Sequence, residues 1–339
     1  MDDDDFTDKK QTAAYAAKAN GKKSIAIGFN ATAAESASDS VVMGSDSFSN
    51  ATSSVAIGDG ARVADEADQS VSIGRHSSAK SDLSVAIGGR ANTNSQAAVA
   101  IGFNATASGI SIGSETKSEI EDSIALGHYA ESLGSETVTI GHNALSAQDV
   151  SYAVTLGAMA QNSANYSTAL GHAANTTAFY SVALGAASEA GDDFVESTNA
   201  TINGIEYKNF AASSSQFNNP DMGMAGAVVS VGKKGYERQI KNVAAGQVTN
   251  VSTDAINGSQ LYAVADALTT KINKQHWNVG NNDGAVVSGV YHEDQVNFVN
   301  GNVTTVKVVK APSKTSTPDG GPNITNVSYD VNVGKGLKN

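Results

Sequence analysis

Ser84-Val85-Ala86-Ile87-Gly88, with a tail that closes on Ala91, is the stretch whose reading decides the fold. Variants of it recur along the chain, with their glycines at Gly28, Gly44, Gly58, Gly74, Gly88, Gly102, Gly113, Gly127, Gly141, Gly157, Gly171 and Gly185. The steps between these glycines are 16, 14, 16, 14, 14, 11, 14, 14, 16, 14 and 14. A dominant step of 14 is a true internal repeat, the signature of a stacked architecture. Within each unit Val and Ile alternate with Ser and Ala and end in Gly, which reads as a short strand running into a tight turn. A second turn follows the Gly-x-x-Ala tail, as in Phe103-Asn104-Ala105.

Fourteen residues leave room for two short strands and two turns, so the expected fold is mostly β, a parallel β-roll of about 14 residues per coil. In this reading Val55, Ile57, Val85, Ile87, Val99, Ile101, Val182 and Leu184 form the roll core. The Ser/Ala face then lies against a neighbouring chain. The 16-residue steps place two extra residues in a turn, and the 11-residue step before Gly113 removes one.

Composition fits this picture and excludes others. Of 339 residues only 6% are aromatic, too few for the bulky core of a globular enzyme but enough for thin layers of small residues. The net charge of −12 disfavours nucleic acid as a partner, because that affinity rests on Lys and Arg at phosphates. Cysteine is absent, which removes disulfides, thiolate metal sites and Cys nucleophiles. No apolar run is long enough to span a membrane as a helix. Met1 to Asp5 is acidic and reads as an expression-tag scar, not a signal peptide, so any membrane contact is expected through an anchor missing from this sequence.

After Gly185 the series pauses. Asn203-Gly204 stands between two alternating runs, a hairpin signal, and the repeat resumes at Val229-Ser230-Val231-Gly232. From Leu261 the apolar positions Leu261, Ala265, Leu268 and Ile272 are spaced as a coiled-coil seam under three heptads long. Ser252 or Thr253 with Asp254 supply N-cap candidates for that helix. Beyond Trp277, alternating runs at Val286-Val287, Val296 to Val299, Val303 to Val309 and Ile324 to Val333 read as strands, with an Asn300-Gly301 turn and a loop from Pro312 to Pro322.

The stretches from Glu237 to Gly246 and from Ser252 to Tyr262 resemble the neck of trimeric autotransporter adhesins, the YadA-like proteins of Gram-negative bacteria. The 14-residue repeat is similar to their left-handed parallel β-roll head, and the segment from Thr201 to Ala211 to their head insert. The resemblance implies a homotrimer: head repeats over 24–190, insert 191–227, last strand and neck 228–258, coiled coil 259–276 and a tryptophan-ring or β-prism-like connector 277–339, after a flank of 1–23. It implies that Arg238, Ile240, Val243, Asp254, Ile256, Asn257, Leu261, Leu268, Ile272 and Trp277 hold the trimer. It also implies a non-catalytic adhesin on the bacterial outer-membrane surface, binding host matrix, host cells or other bacteria, without cofactor. The pattern of collagen-binding heads, Asn before the core and Ser three residues after the Gly, is not matched by Ser53 with Ala61 or Leu83 with Ala91.

His128, His142 and His172 each follow a repeat glycine, but that position also takes Phe, Asp and Ala, so a tolerant turn position explains them better than a metal column. Glu115, Glu119, Glu121 and Asp122 read as a solvated face without the cleft that catalysis needs. Gly334-Lys335-Gly336 lacks the context of a phosphate loop. Phe29, Phe103, His142 and His172 are the candidate adhesive surface. Two other classes remain: a spacer or self-association module, and a trimeric β-helix acyltransferase, whose 18-residue coil conflicts with the period of 14.

Overall fold

The computed structural model describes residues 15–191, 199–211, 227–280, 285–291, 294–299, 304–310 and 325–331. The expected loops through Pro220 and from Pro312 to Pro322, the Asn300-Gly301 turn and Gly334-Lys335-Gly336 lie outside the described residues, as does Met1 to Asp5. Two compact units divide the chain, 1–242 with 249–253, and 243–248 with 254–339.

The first unit is a solenoid of two parallel sheets with thirteen strands each. Long strands alternate in sequence with two-residue strands, so every coil adds one strand to each sheet. One typical pair is β10 (Val85–Ile87) and β11 (Asn92–Thr93). Residues one repeat apart pair directly: Val85 with Val99, Ala86 with Ala100, Ile87 with Ile101. The roll begins earlier than the repeat glycines suggest, since β1 (Lys18–Ala19) already pairs with β3 (Thr32–Ala33).

The steps that are not 14 resolve in one place. Four residues always link a long strand to the short strand after it, as from Ile57 to Arg62. The link from the short strand to the next long strand varies. It grows between β7 (Arg62–Val63) and β8 (Val71–Ile73), and shrinks to Ser108-Gly109 between β13 (Thr106–Ala107) and β14 (Ile110–Ile112). Both sheets keep their register through these changes, with Val55 on Val71 and Val99 on Ile110.

The burial corrects the expected core. Ala56, Ala86, Ala100 and Ala183 are fully enclosed. Their neighbours Val55, Ile57, Val85, Ile87, Val99, Ile101 and Val182 point outward and are half-buried, while Leu184 is 42% exposed. Geometry explains the inversion. The four-residue crossing between the sheets leaves a narrow interior in which Ala, Ser and Thr side chains predominate. Val42, Val63 and Asn162 are the bulkiest fully enclosed side chains.

Because half the interior is hydroxyl, it must be hydrogen-bonded to be stable. Ser49 and Ser54 share a bond at 2.6 Å, Thr93 donates to Ser84 at 2.9 Å, and Thr139, Ser146 and Thr155 form a chain at 2.7 and 2.9 Å. No buried side-chain nitrogen or oxygen among the described residues lacks a partner.

The repeat glycine has its own reason. Gly88 has φ 130°, and a Cβ there would meet the carbonyl oxygen of Gly102 in the next coil at 2.4 Å. That backbone region and that approach admit only glycine. Below the last full coil, β28 (Val229–Ser230) pairs with β24 (Val182–Leu184), as the resumed repeat led one to expect. The insert folds as the hairpin β26 (Asn199–Ile202) and β27 (Ile205–Lys208), with Asn203 and Gly204 at φ 50° and 80° in its turn.

In the second unit α1 spans Gly258–Lys274. Its N-cap is Asn257, not Ser252, Thr253 or Asp254. Asn257 accepts from the Gln260 amide while the Gln260 side chain accepts from the Asn257 amide at 3.2 Å, a capping box. β29 (His276–Gly280) and β30 (Val286–Tyr291) form one antiparallel pair, and β31 (Thr304–Lys310) and β32 (Thr325–Val331) another. Val296 to Val299, expected as a strand, is irregular.

The inverted faces are testable. Ala100→Leu must overpack the interior and cost about 1–3 kcal/mol, whereas Asn92→Leu on the outer side of a short strand stays within about 0.5 kcal/mol. Thermal melts of the two variants read the difference.

Candidate functional surfaces

Stacking coils in register turns each repeat position into a column along the roll. The residue after each repeat glycine makes one such column, and there Phe29 and Phe103 are 53% and 51% exposed. His142 and His172 are exposed as well. The four are not gathered into one patch. Phe29 stacks on Tyr15 at 4.7 Å, and His142 on His128 at 5.4 Å, while the coil holding Ala158 separates His142 from His172. No group of three metal-ligating side chains occurs among the described residues. Elsewhere in the column Arg75 lies 3.6 Å from Asp59.

The opposite flank carries a feature that repeat reading missed. Tyr152, Tyr166 and Tyr180 occupy one turn position in successive coils, each with φ near 57°. Their rings stack at 5.0 and 4.8 Å, nearly parallel at 7° and 3°. A hydrogen bond to the Glu136 carboxylate, followed by its charge, raises the Tyr152 hydroxyl above the usual phenol range. The spacing of 14 between these tyrosines was the available signal.

The outward side of the long-strand sheet is a third surface. Ile25, Ile27, Leu126, Val154, Leu156, Leu170 and Leu184 on it are all between 37% and 52% exposed, an apolar band along the roll. Its length far exceeds the scattered apolar residues of an ordinary surface.

The neck residues fall into two groups. Arg238 donates to the Ser188 hydroxyl at 2.9 Å, to the Val231 carbonyl at 2.6 Å and to the Ala186 carbonyl, closing the last coil. Asn257 donates to the Val243 carbonyl at 3.1 Å, and Gln260 exchanges bonds with the Gly246 amide and carbonyl at 3.1 and 2.6 Å. Asp254 accepts from the Gln247 amide at 2.9 Å. These polar side chains stitch the segment 243–247 to the start of α1. The apolar members are left bare among the described residues: Ile240, Ile256, Leu261, Leu268, Ile272 and Trp277 are between 43% and 70% exposed. Val243 is half-buried.

Comparison with known proteins agrees with this combination of roll and bare helix. The YadA head domain repeat matches residues 15–34, 36–61, 66–91, 79–105, 94–111 and 163–188, and the coiled stalk of trimeric autotransporter adhesin matches 239–284. The matched stretches carry YadA-like head repeats and the coiled stalk of trimeric autotransporter adhesins. The relatives are adhesins, not enzymes. The autotransporter adhesin BtaE of Brucella suis is 43% identical over 82 residues, 24% of this chain and 10% of that protein. The trimeric autotransporter adhesin AtaA of an Acinetobacter strain is 31% identical over 117 residues, 34% of this chain and 3% of that protein. The chain thus spans a small part of these long relatives.

Among solved structures, a C-terminal YadA-like domain from Burkholderia pseudomallei is 34% identical, covering 36% of this chain and 53% of that one, at a TM-score of 0.30. The collagen-binding domain of the Yersinia adhesin YadA is 21% identical, covering 73% and 99%, at a TM-score of 0.33. No helix among the described residues is long and apolar enough to cross a membrane.

Asn257→Ala removes the cap and the Val243 contact together, so helix stability must fall by about 0.5–2 kcal/mol. Circular dichroism of the helix against temperature, with Thr269→Ala in the middle of α1 as a control remote from the capping box, measures the loss.

Proposed function

We propose that three copies of this chain assemble side by side into an adhesive fibre head at the bacterial outer-membrane surface, and that the apolar outer face of the long-strand sheet is what they share. The observation that carries the reading is the exposure of that face in a single chain, from Ile25 and Ile27 at one end to Leu184 at the other. A band of this length is unstable against water and finds its cover in an identical band. The bare seam of Leu261, Leu268 and Ile272 on α1 supports the same stoichiometry, because a short heptad seam is marginal without partner helices.

In this assembly the partner approaches the Val/Ile/Leu face, while the Ser/Ala face stays inside each roll. The turn columns remain outside, each in three copies. Weak contacts by Phe29, Phe103, His142, His172 or the tyrosine ladder then gain avidity from multiplicity. The targets fitting such shallow, repeated surfaces are proteins of host matrix, host cells or neighbouring bacteria. The fibre needs no catalytic step or cofactor to hold them.

Light scattering of the purified chain is expected to give three times the single-chain mass. Ile87→Lys with Leu126→Lys buries cations in the shared face, and must yield monomers whose β-sheet signal persists. A trimer that survives this double change would overturn the assignment of the face. Binding of the trimer to an array of host proteins tests adhesion, and silence throughout with strong self-clumping favours a self-association module.

A further inference from the structure

Four arginines occur in the chain, and three of them, Arg62, Arg75 and Arg90, stand in three successive coils. All three are exposed, on the turn after a repeat glycine or at the start of the short strand that the turn leads into. That places them on the glycine flank and the adjoining outer side of the short-strand sheet, away from the long-strand face that the copies are proposed to share. The exposed His76 joins them, its ring lying over Gly60 in the coil above.

The chain carries 34 Asp and Glu residues, yet these cations are nearly unopposed. Between Gln69 and Ser114 the one carboxylate is Asp82, and it accepts from the Asp68 amide at 2.8 Å on the opposite flank. The acids that border the patch are Asp59, 3.6 Å from Arg75 Nε, and Glu115, which accepts from the Asn104 side chain at 2.6 Å. Among the described residues Arg62 and Arg90 make no ion pair. A molecule of net charge −12 thus presents one locally positive surface.

Two aromatic rings give that surface a shape. The Arg62 guanidinium lies over the Phe48 ring, 5.9 Å from its centroid, a contact that holds the planar fork in place. Gly89 leaves a seat in the column that follows the repeat glycines, between Arg75 and Phe103. A Cβ on Gly89 would stand 3.5 Å from the Phe103 ring and 3.8 Å from the Arg75 carbonyl oxygen. Arg90 borders the seat from a left-handed turn with φ 61°.

We propose that this patch binds a linear sulfated polysaccharide lying along the roll. Strands of successive coils are about 4.8 Å apart, so an extended chain meets Arg62, Arg75 and Arg90 one coil after another. Sulfates on its sugars pair with the three guanidinium forks, and one sugar ring sits over Gly89 with its C–H face on Phe103. The acidic remainder of the roll repels a polyanion and confines it to these coils. The inference deepens the adhesive reading by naming a ligand class, and it rests on the roll of a single chain whether or not three copies assemble.

The intact chain is titrated into a fluorescein-labelled heparin octasaccharide at low salt and followed by anisotropy, with light scattering recording its mass. The sulfated sugar is expected to bind at least tenfold more tightly than the same octasaccharide stripped of sulfate with its carboxylates kept. Arg62→Gln with Arg90→Gln must weaken binding at least tenfold, with mass and β-sheet signal unchanged. Lys22→Gln with Lys234→Gln removes the same net charge at exposed positions outside the patch and must leave the affinity within about twofold. Equal binding of the two sugars, undiminished binding after loss of the arginine pair, or an equal loss from both pairs of substitutions overturns the proposal. So does a polyphosphate of matched charge that displaces the sugar as well as unlabelled octasaccharide does. A chain that proves monomeric yet keeps its preference for sulfate sinks the shared face and upholds this site.

Discussion

Everything in the roll depends on how closely one coil lies on the next. At the repeat glycine the backbones approach so nearly that a hypothetical Cβ on Gly44 would stand 2.4 Å from the Gly58 carbonyl oxygen. That spacing lets Val55 pair with Val71 and Ile57 with Ile73 even though their coil is two residues longer than the next. The narrow interior has a separate cause in the four residues that cross between the sheets in every coil. Ala, Ser and Thr predominate inside because little more fits, and Ile and Leu are left outside as a consequence.

This reverses the usual logic of a hydrophobic core. A single roll encloses methyls and hydroxyls, which contribute little apolar burial per coil. Cohesion within the chain comes from two continuous ladders of backbone bonds and from satisfied hydroxyl chains such as Thr139, Ser146 and Thr155. The larger apolar surface faces outward. In α1 the same division appears: polar Asn257 and Gln260 fix the helix start, while Leu261, Leu268 and Ile272 are exposed.

The period, the strands of the roll and the hairpin at Asn203-Gly204 were legible in the sequence because each is a local pattern with a local cause. Which face turns inward was not, since alternation defines two faces without naming the inner one. The rule that bulky apolar residues go inside assumes room for them between the sheets, and here Ala, Ser and Thr fill that space instead. The helix cap was misplaced for a comparable reason: Ser252, Thr253 and Asp254 are good capping types, but only Asn257 has a Gln three residues on. His142 and His172 share a repeat position, yet sharing a position does not bring residues together unless their coils are adjacent. The tyrosine ladder meets that condition at Tyr152, Tyr166 and Tyr180, and was readable from the spacing alone.

The unequal turns have a consequence for how such a head can change over time. Length varies only in the link from a short strand to the next long strand, and the register of both sheets is indifferent to it. The flank bearing that link is therefore free to gain or lose residues without disturbing either its neighbours or the apolar band. The glycine flank has no such latitude. One side of the fibre is open to diversification under selection, and the other is kept constant by contact with itself.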